Sequence, residues 1–230
     1  MSWVLEIAAK GHAGLAAQSH DWFQRDALHS LLPLPGILHA DIYLPTAGGA
    51  DPFVVPAAGP LIAAIVHVRT EGDLRTAIAS VAFERWLAQR PAGLTLTATP
   101  MSGNAYAVDG PRAELRRTAY RYVVRYHGSR EAAASFADHY ERTHPPLLAK
   151  LPRIRAIECY RPLGALRAPH CEPADYLIGN EVEFDSAEDF NAAMISPARV
   201  ALRADFDALP RVFRGHTHFA MRRERHHALS

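Results

Sequence analysis

The sequence predicts an α+β protein made of two tandem β-α-β-β-α-β units whose antiparallel sheets pack into one barrel within a single chain. Three observations carry that expectation. Two pairs of segments echo each other at nearly the same offset. The second half reads, by periodicity and punctuation, as strand, helix, strand, strand, helix, strand. At 230 residues, with 49% hydrophobic and 21% charged side chains, the chain has the length and composition for two small folded units.

The echoes come first, because a missed repeat misassigns the whole fold. Val68 to Ser80 runs from an apolar stretch into a helical pattern, and Phe184 to Ser196 does the same, with Asp189 standing 116 residues after Asp73. Leu34-Pro35-Gly36-Ile37 is matched by Leu151-Pro152-Arg153-Ile154, 117 residues on. The implied units are 1–102 and 120–222, joined by a linker over 103–119 with a short helix at 113–117 and followed by a flexible tail over 223–230.

Tyr120 to His127 is β-rich and ends at Gly128, so it reads as a strand. Ser129 is placed to cap a helix in which Ala133, Phe136, Ala137 and Tyr140 recur at helical spacing. Pro145 and Pro146 predict that this helix stops near His144. Ile154 to Tyr160 and Tyr176 to Phe184 read as strands, Ser186 as the cap of a helix over 187–196, and Arg211 to Met221 as the last strand. This order is the ferredoxin-like unit, a four-stranded antiparallel sheet with helices on one face. The other face has to be buried, and a second copy in the same chain supplies the cover.

Composition narrows the partners. Lys plus Arg total 25 against 24 Asp plus Glu, a net charge of +1, which gives no footprint for nucleic acid. The basic run from Arg222 to His227 reads as a solvated tail. The longest apolar run, Gly59 to Val66, falls far short of the ~20 residues that span a bilayer, so no membrane association is expected. Two cysteines without CxxC spacing and no signal-peptide pattern at the N-terminus predict a reducing, cytoplasmic location. No glycine-rich nucleotide loop is present; Gly48-Gly49 reads as an ordinary turn.

The most informative stretch is Phe136 to Leu147. In the first half, Trp22 and Ala27 stand where His139 and His144 stand in the second, so one site per chain is expected, in the second half. Phe136, Tyr140 and His144-Pro145-Pro146-Leu147, followed by Leu151-Pro152 and a strand, resemble the EthD-like members of the dimeric α+β barrel superfamily over about residues 120–221. In that family the usual form is His-Ala-Pro-Leu and then Pro-Gly; here Pro145 replaces the Ala and Arg153 the Gly. The resemblance implies a degenerate first copy, and a proton-transfer role for His144 like that of a histidine in a related isomerase. It also brings in related cyclases, oxygenases and decarboxylases.

Independently of that resemblance, a residue before proline is pushed towards extended geometry, which turns the His144 side chain towards the sheet cavity, and imidazole both removes and returns protons near neutral pH. His139 is a second catalytic candidate only if the helix ends early, since five residues span about 140° of a helix. Tyr126, Tyr140 and His218 are candidate substrate contacts. His216-Thr217-His218 is the one spacing that hints at metal, and no metal or cofactor is expected. The leading functional expectation is a cofactor-free lyase, isomerase or cyclase acting on a small aromatic, lactone or polyketide-like compound in a mostly apolar cavity between the two sheets. The alternatives are a non-catalytic binder of a hydrophobic metabolite and, because some two-copy barrels resemble haem enzymes, a haem-dependent enzyme. A homodimer is possible, although the barrel can close within one chain.

Overall fold

Strand β1 (Ser2–Lys10) opens the structure, a computed structural model whose described residues are 1–54, 59–109 and 118–228. An irregular helical segment α1 (residues 13–31) follows, then β2 (Ile37–Pro45), β3 (Ile62–Val68), α2 (Glu71–Ile78), α3 (Val81–Ala88) and β4 (Thr95–Tyr106). The second half runs β5 (Thr118–Gly128), α4 (Arg130–Leu148), β6 (Ala156–Pro162), β7 (Tyr176–Phe184), α5 (Ala187–Met194), α6 (Pro197–Ala208) and β8 (Phe213–His227).

The echoes recognised in the sequence mark matching helix starts. Thr70 accepts a hydrogen bond from the Asp73 N–H at the head of α2, and Ser186 accepts one from the Asp189 N–H at the head of α5. Each satisfies an otherwise unpaired donor of the first turn. Ser186→Ala is expected to cost about 1 kcal/mol of stability, read as the denaturation midpoint. Ser129 occupies the cap position of α4 without a side-chain capping bond.

All eight strands pair antiparallel in one closed barrel of order β1-β3-β2-β8-β5-β7-β6-β4. Each half contributes four consecutive strands, and the seams are β2 with β8, where Asp41 faces Arg225, and β4 with β6, where Gly103 faces Tyr160. This is the predicted intramolecular α+β barrel. Closure leaves none of these strands with a free edge for a partner chain. No helix among the described residues is long and apolar enough to cross a membrane, and both cysteines are free.

The strands are buried on both faces, and the two faces differ in chemistry. On β5, Tyr120, Tyr122, Val124 and Tyr126 pack under the helices with Phe136, Tyr140 and Phe190. The alternate residues Arg121 and Arg125 point into the barrel and are fully buried. The interior expected to be an apolar cavity is instead filled largely by ion pairs. Arg125 bonds Glu181 at 2.6 Å and Glu6 through Nε at 2.9 Å. Arg121 meets Glu158 at 2.8 Å and Glu183 at 2.7 Å, and Tyr43 donates to Glu181 at 2.8 Å. An apolar cluster that includes Val4, Ile65, Val123 and Met221 shares that space, and beside the Arg125–Glu6–Glu181 group a cavity remains, bordered by Tyr43, Ile65, Val123 and Phe219 among others.

Four expectations are corrected. The helix predicted to stop near His144 continues to Leu148 with Pro145 and Pro146 inside it. A proline removes a donor and strains one turn, but the buried stripe of Phe136, Tyr140, His144 and Leu148 holds the helix on the sheet. The expected tail is strand β8 as far as His227, because β2 pairs with it and Arg223 is buried against Glu183. The expected linker is β4 up to Tyr106, and the helix suggested at 113–117 lies outside the described residues. Finally, the helix read over 187–196 ends at Met194 and is followed by α6, whose Ser196-Pro197 start was overlooked.

Candidate active site

Helix α4 crosses the sheet of the second half with residues at intervals of four on its underside, so His144 faces the sheet from within a helix, not from an extended pre-proline segment. Its ring lies 4.7 Å from that of Tyr140 and its Nδ1 is 2.7 Å from Asp205 Oδ2 on α6. Burial, the largest single influence, works against the Asp205 charge, but the hydrogen bond and charge of His144, with Thr143 and His139 adding to them, together hold the carboxyl below its usual range. An anionic Asp205 fixes the proton of a neutral His144 on Nδ1 and leaves Nε2 as the basic nitrogen.

Beside this pair lies a cleft between the helices and the outer face of the second-half sheet, not between the two sheets. About 70 Å³ of it is open to the centre of a water-sized sphere, within about 610 Å³ of atom-free space that includes the solvent-facing mouth. Tyr122, Tyr126, Tyr140, His144, His218 and Phe206 line it. Four of the five sequence candidates (His144, Tyr126, Tyr140 and His218) therefore meet here. His139 does not: the continuous helix turns it outward, where Nδ1 sits 3.4 Å from Arg142. The condition under which it could share the site, an early helix end, is not met.

The His216-Thr217-His218 strand pattern is used internally. His216 Nδ1 is 2.9 Å from His218 Nε2, so one ring donates and the other accepts. Burial, with His216 and Arg199 nearby, pushes His218 down to about 3. A histidine depressed in the folded state contributes stability that is present above its unfolded value near 6.5 and lost as pH falls towards 3. His218→Gln is therefore expected to flatten the decline of stability across that window, measured by denaturant unfolding at stepped pH.

One wall comes from the other half. The β2–β3 connection brings Asp51 and Phe53 to the mouth, where Asp51 receives a bidentate Arg199 at 2.8 and 2.9 Å and the guanidinium lies 4.8 Å from the Phe53 ring centre. Gly48 (φ +97°), whose carbonyl accepts from Asn191 at 2.7 Å, takes a left-handed conformation in this loop. Asp51, Arg199 and Asp205 were missed in the sequence, and His216 was noted only in its His-x-His spacing. The Ser-Pro start of α6 could have revealed the helix carrying Arg199 and Asp205, but nothing local ties Asp51 to a segment nearly 150 residues away.

Among the described residues, the corresponding place in the first half is packed with aromatic rings. Trp22 and Trp86 stack there at 4.5 Å with their planes 9° apart, and Phe23 packs edge-on to Trp86 at 5.5 Å. Trp22, at the position matching His139, lies in a π-helical turn, Trp22–Ala27.

No family model matches the chain, and no curated protein matches it. Solved structures do. An anthrone oxidase-like protein superposes with a TM-score of 0.70 at 15% identity, over 100% of this chain and 94% of that one. A candidate monooxygenase of Lactobacillus acidophilus gives 0.55 at 10% identity, over 97% and 94%. Another, of Fusobacterium nucleatum, gives 0.55 at 8%, over 99% and 96%. At such identities the likeness is one of fold, the dimeric α+β barrel, here completed within one chain.

Proposed function

We propose that this chain is an enzyme that takes a proton from a carbon or phenol acid of a small aromatic, lactone or polyketide-like compound and delivers it elsewhere, as in isomerisation, cyclisation or elimination. The observation that carries the reading is the His144–Asp205 pair, 2.7 Å apart at the wall of an aromatic cleft. Asp205 orients the ring and stabilises the imidazolium formed when Nε2 accepts the proton. Tyr122, Tyr126 and Phe206 offer flat apolar surface to a planar substrate. The EthD-like pattern around His144 and the matched order of the two halves support descent from a tandem duplication whose second copy kept the site.

The anthrone oxidase-like neighbour adds a second outcome of the same first step, since a deprotonated anthrone is an electron-rich carbanion that dioxygen can oxidise. The test is to incubate anthrones, enol lactones and aromatic polyketide analogues with the protein in D2O while following dioxygen. Deuterium entering the carbon acid without dioxygen loss indicates isomerase or cyclase chemistry, and loss of dioxygen indicates oxidation. Saturable binding with neither change would replace this reading by that of a binding protein.

A further inference from the structure

On the opposite face of the barrel wall, at the β2–β8 seam, three histidines lie in a row across adjacent strands. His39 on β2 pairs in register with His67 on β3 and with His227 on β8. Two positions along β2 from His39, and so on the same face, stands Asp41. The ligand atoms of His39, Asp41 and His67 all lie within 4.8 Å of one another. The His39 and His67 rings are stacked at 4.1 Å, and His227 lies 5.9 Å from His39.

Two of these groups lack the partners that buried polar atoms normally have. His39 Nε2 and His67 Nε2 are shielded from solvent and make no hydrogen bond, although His67 is only 6% exposed. Nε2 of His67 points towards Asp41, stopping at 3.7 Å from Oδ2, too far for a hydrogen bond. Two unpaired imidazole nitrogens and a carboxylate converging on one point, with a third imidazole beside them, form the donor set of a first-row divalent ion.

We infer that His39, His67 and Asp41 form a binding site for a divalent transition-metal ion of the zinc class, with His227 or water completing the coordination. Asp41 already receives Arg225 at 2.7 Å on each oxygen, but each carboxylate oxygen has a second lone pair. Arg225 then serves as the outer partner that orients a metal-bound carboxylate. Burial lowers the proton affinity of both imidazoles, and it is the neutral ring that ligates. Bonds of about 2.0–2.1 Å require the ligand atoms to draw somewhat closer than they stand now. Arg225 and Arg223, the latter 3.7 Å from Asp41, place positive charge nearby and predict a moderate affinity, not a very tight one. The site would tie β2 and β3 of the first half to β8 of the second.

The test starts with the full chain stripped by a chelator and titrated with Co2+ at neutral pH. One equivalent is expected to bind, with the visible d–d absorption of a nitrogen-ligated ion, and Zn2+ is expected to displace it and raise the melting temperature. His39→Gln with His67→Gln lowers the affinity by a factor on the order of 100 or more. His39→Gln alone, at a half-buried position, serves if the double variant does not fold. The pair His216→Gln with His218→Gln, on the far side of the sheet, keeps the absorption. Absence of saturable Co2+ binding in the wild type, or binding unchanged when His39 and His67 are replaced, overturns the inference.

Discussion

His144→Ala lowers turnover by about 10²- to 10⁴-fold on any substrate that the protein converts, the range that a positioned acid or base contributes. The loss falls on kcat, because the aromatic walls that hold the substrate remain. The same variant abolishes solvent-deuterium incorporation, which separates a role in proton transfer from one in binding. Stability falls by a smaller amount, about 1–3 kcal/mol, since Asp205 loses its partner at a partly buried position. Asp205→Asn keeps the imidazole but offers Nδ1 an amide, so the ring tautomer is no longer fixed and turnover falls with the imidazole intact. His139→Ala changes neither quantity appreciably, because its side chain is outside the cleft. Turnover unchanged in His144→Ala would remove the proton-transfer assignment, whatever the substrate.

Arg125→Met has the largest expected effect on stability. The guanidinium is 2% exposed and serves both Glu6 and Glu181, so its removal leaves two carboxylates facing each other inside the barrel. Breaking a buried pair by taking away one partner costs about 3–5 kcal/mol, which for a chain of this size lowers Tm by roughly 6–20 °C. Burial already raises Glu181 above the ordinary carboxylate range, although Arg125 and Arg121 oppose it. Without Arg125 it takes up a proton more readily, and the variant is relatively less impaired at low pH. Combining Arg125→Met with Glu6→Gln should cost less than the sum of the single changes, since the second removes a charge that the first left unpaired. Additive losses would mean that the contacts are not coupled.

The fold was legible in the sequence because its signals are local and repeated. Thr70 and Ser186, each three residues before an aspartate, announce the same helix start twice. The β-rich run at Tyr120 and the strand from Tyr176 to Phe184 appear within a residue or two of their structural limits. The charged interior was hidden because Arg121 and Arg125 alternate with tyrosine and valine as in a solvent-facing strand. Only the second sheet, closing over them, turns that face inward. The prolines after His144 misled for a related reason: local preference argued for a stop, and packing of Tyr140, His144 and Leu148 on the sheet prevailed. His144 and His218 could be singled out by residue type and position, whereas Asp205, Asp51 and the His39–Asp41–His67 group depend on contacts between segments remote in sequence.

Closure of the ring of strands inside one polypeptide frees the two halves from each other's constraints. In a barrel made from two identical subunits, every substitution is present twice, so filling one cleft fills both, and altering one wall alters its mirror image. Here the Trp22–Trp86 stack could occupy one side while the other stayed open, and a loop carrying Asp51 and Phe53 could be shaped for a neighbour that differs from its own half. The molecule can thus fill one half with stacked rings and keep a cleft in the other, an asymmetry that exact twofold symmetry forbids.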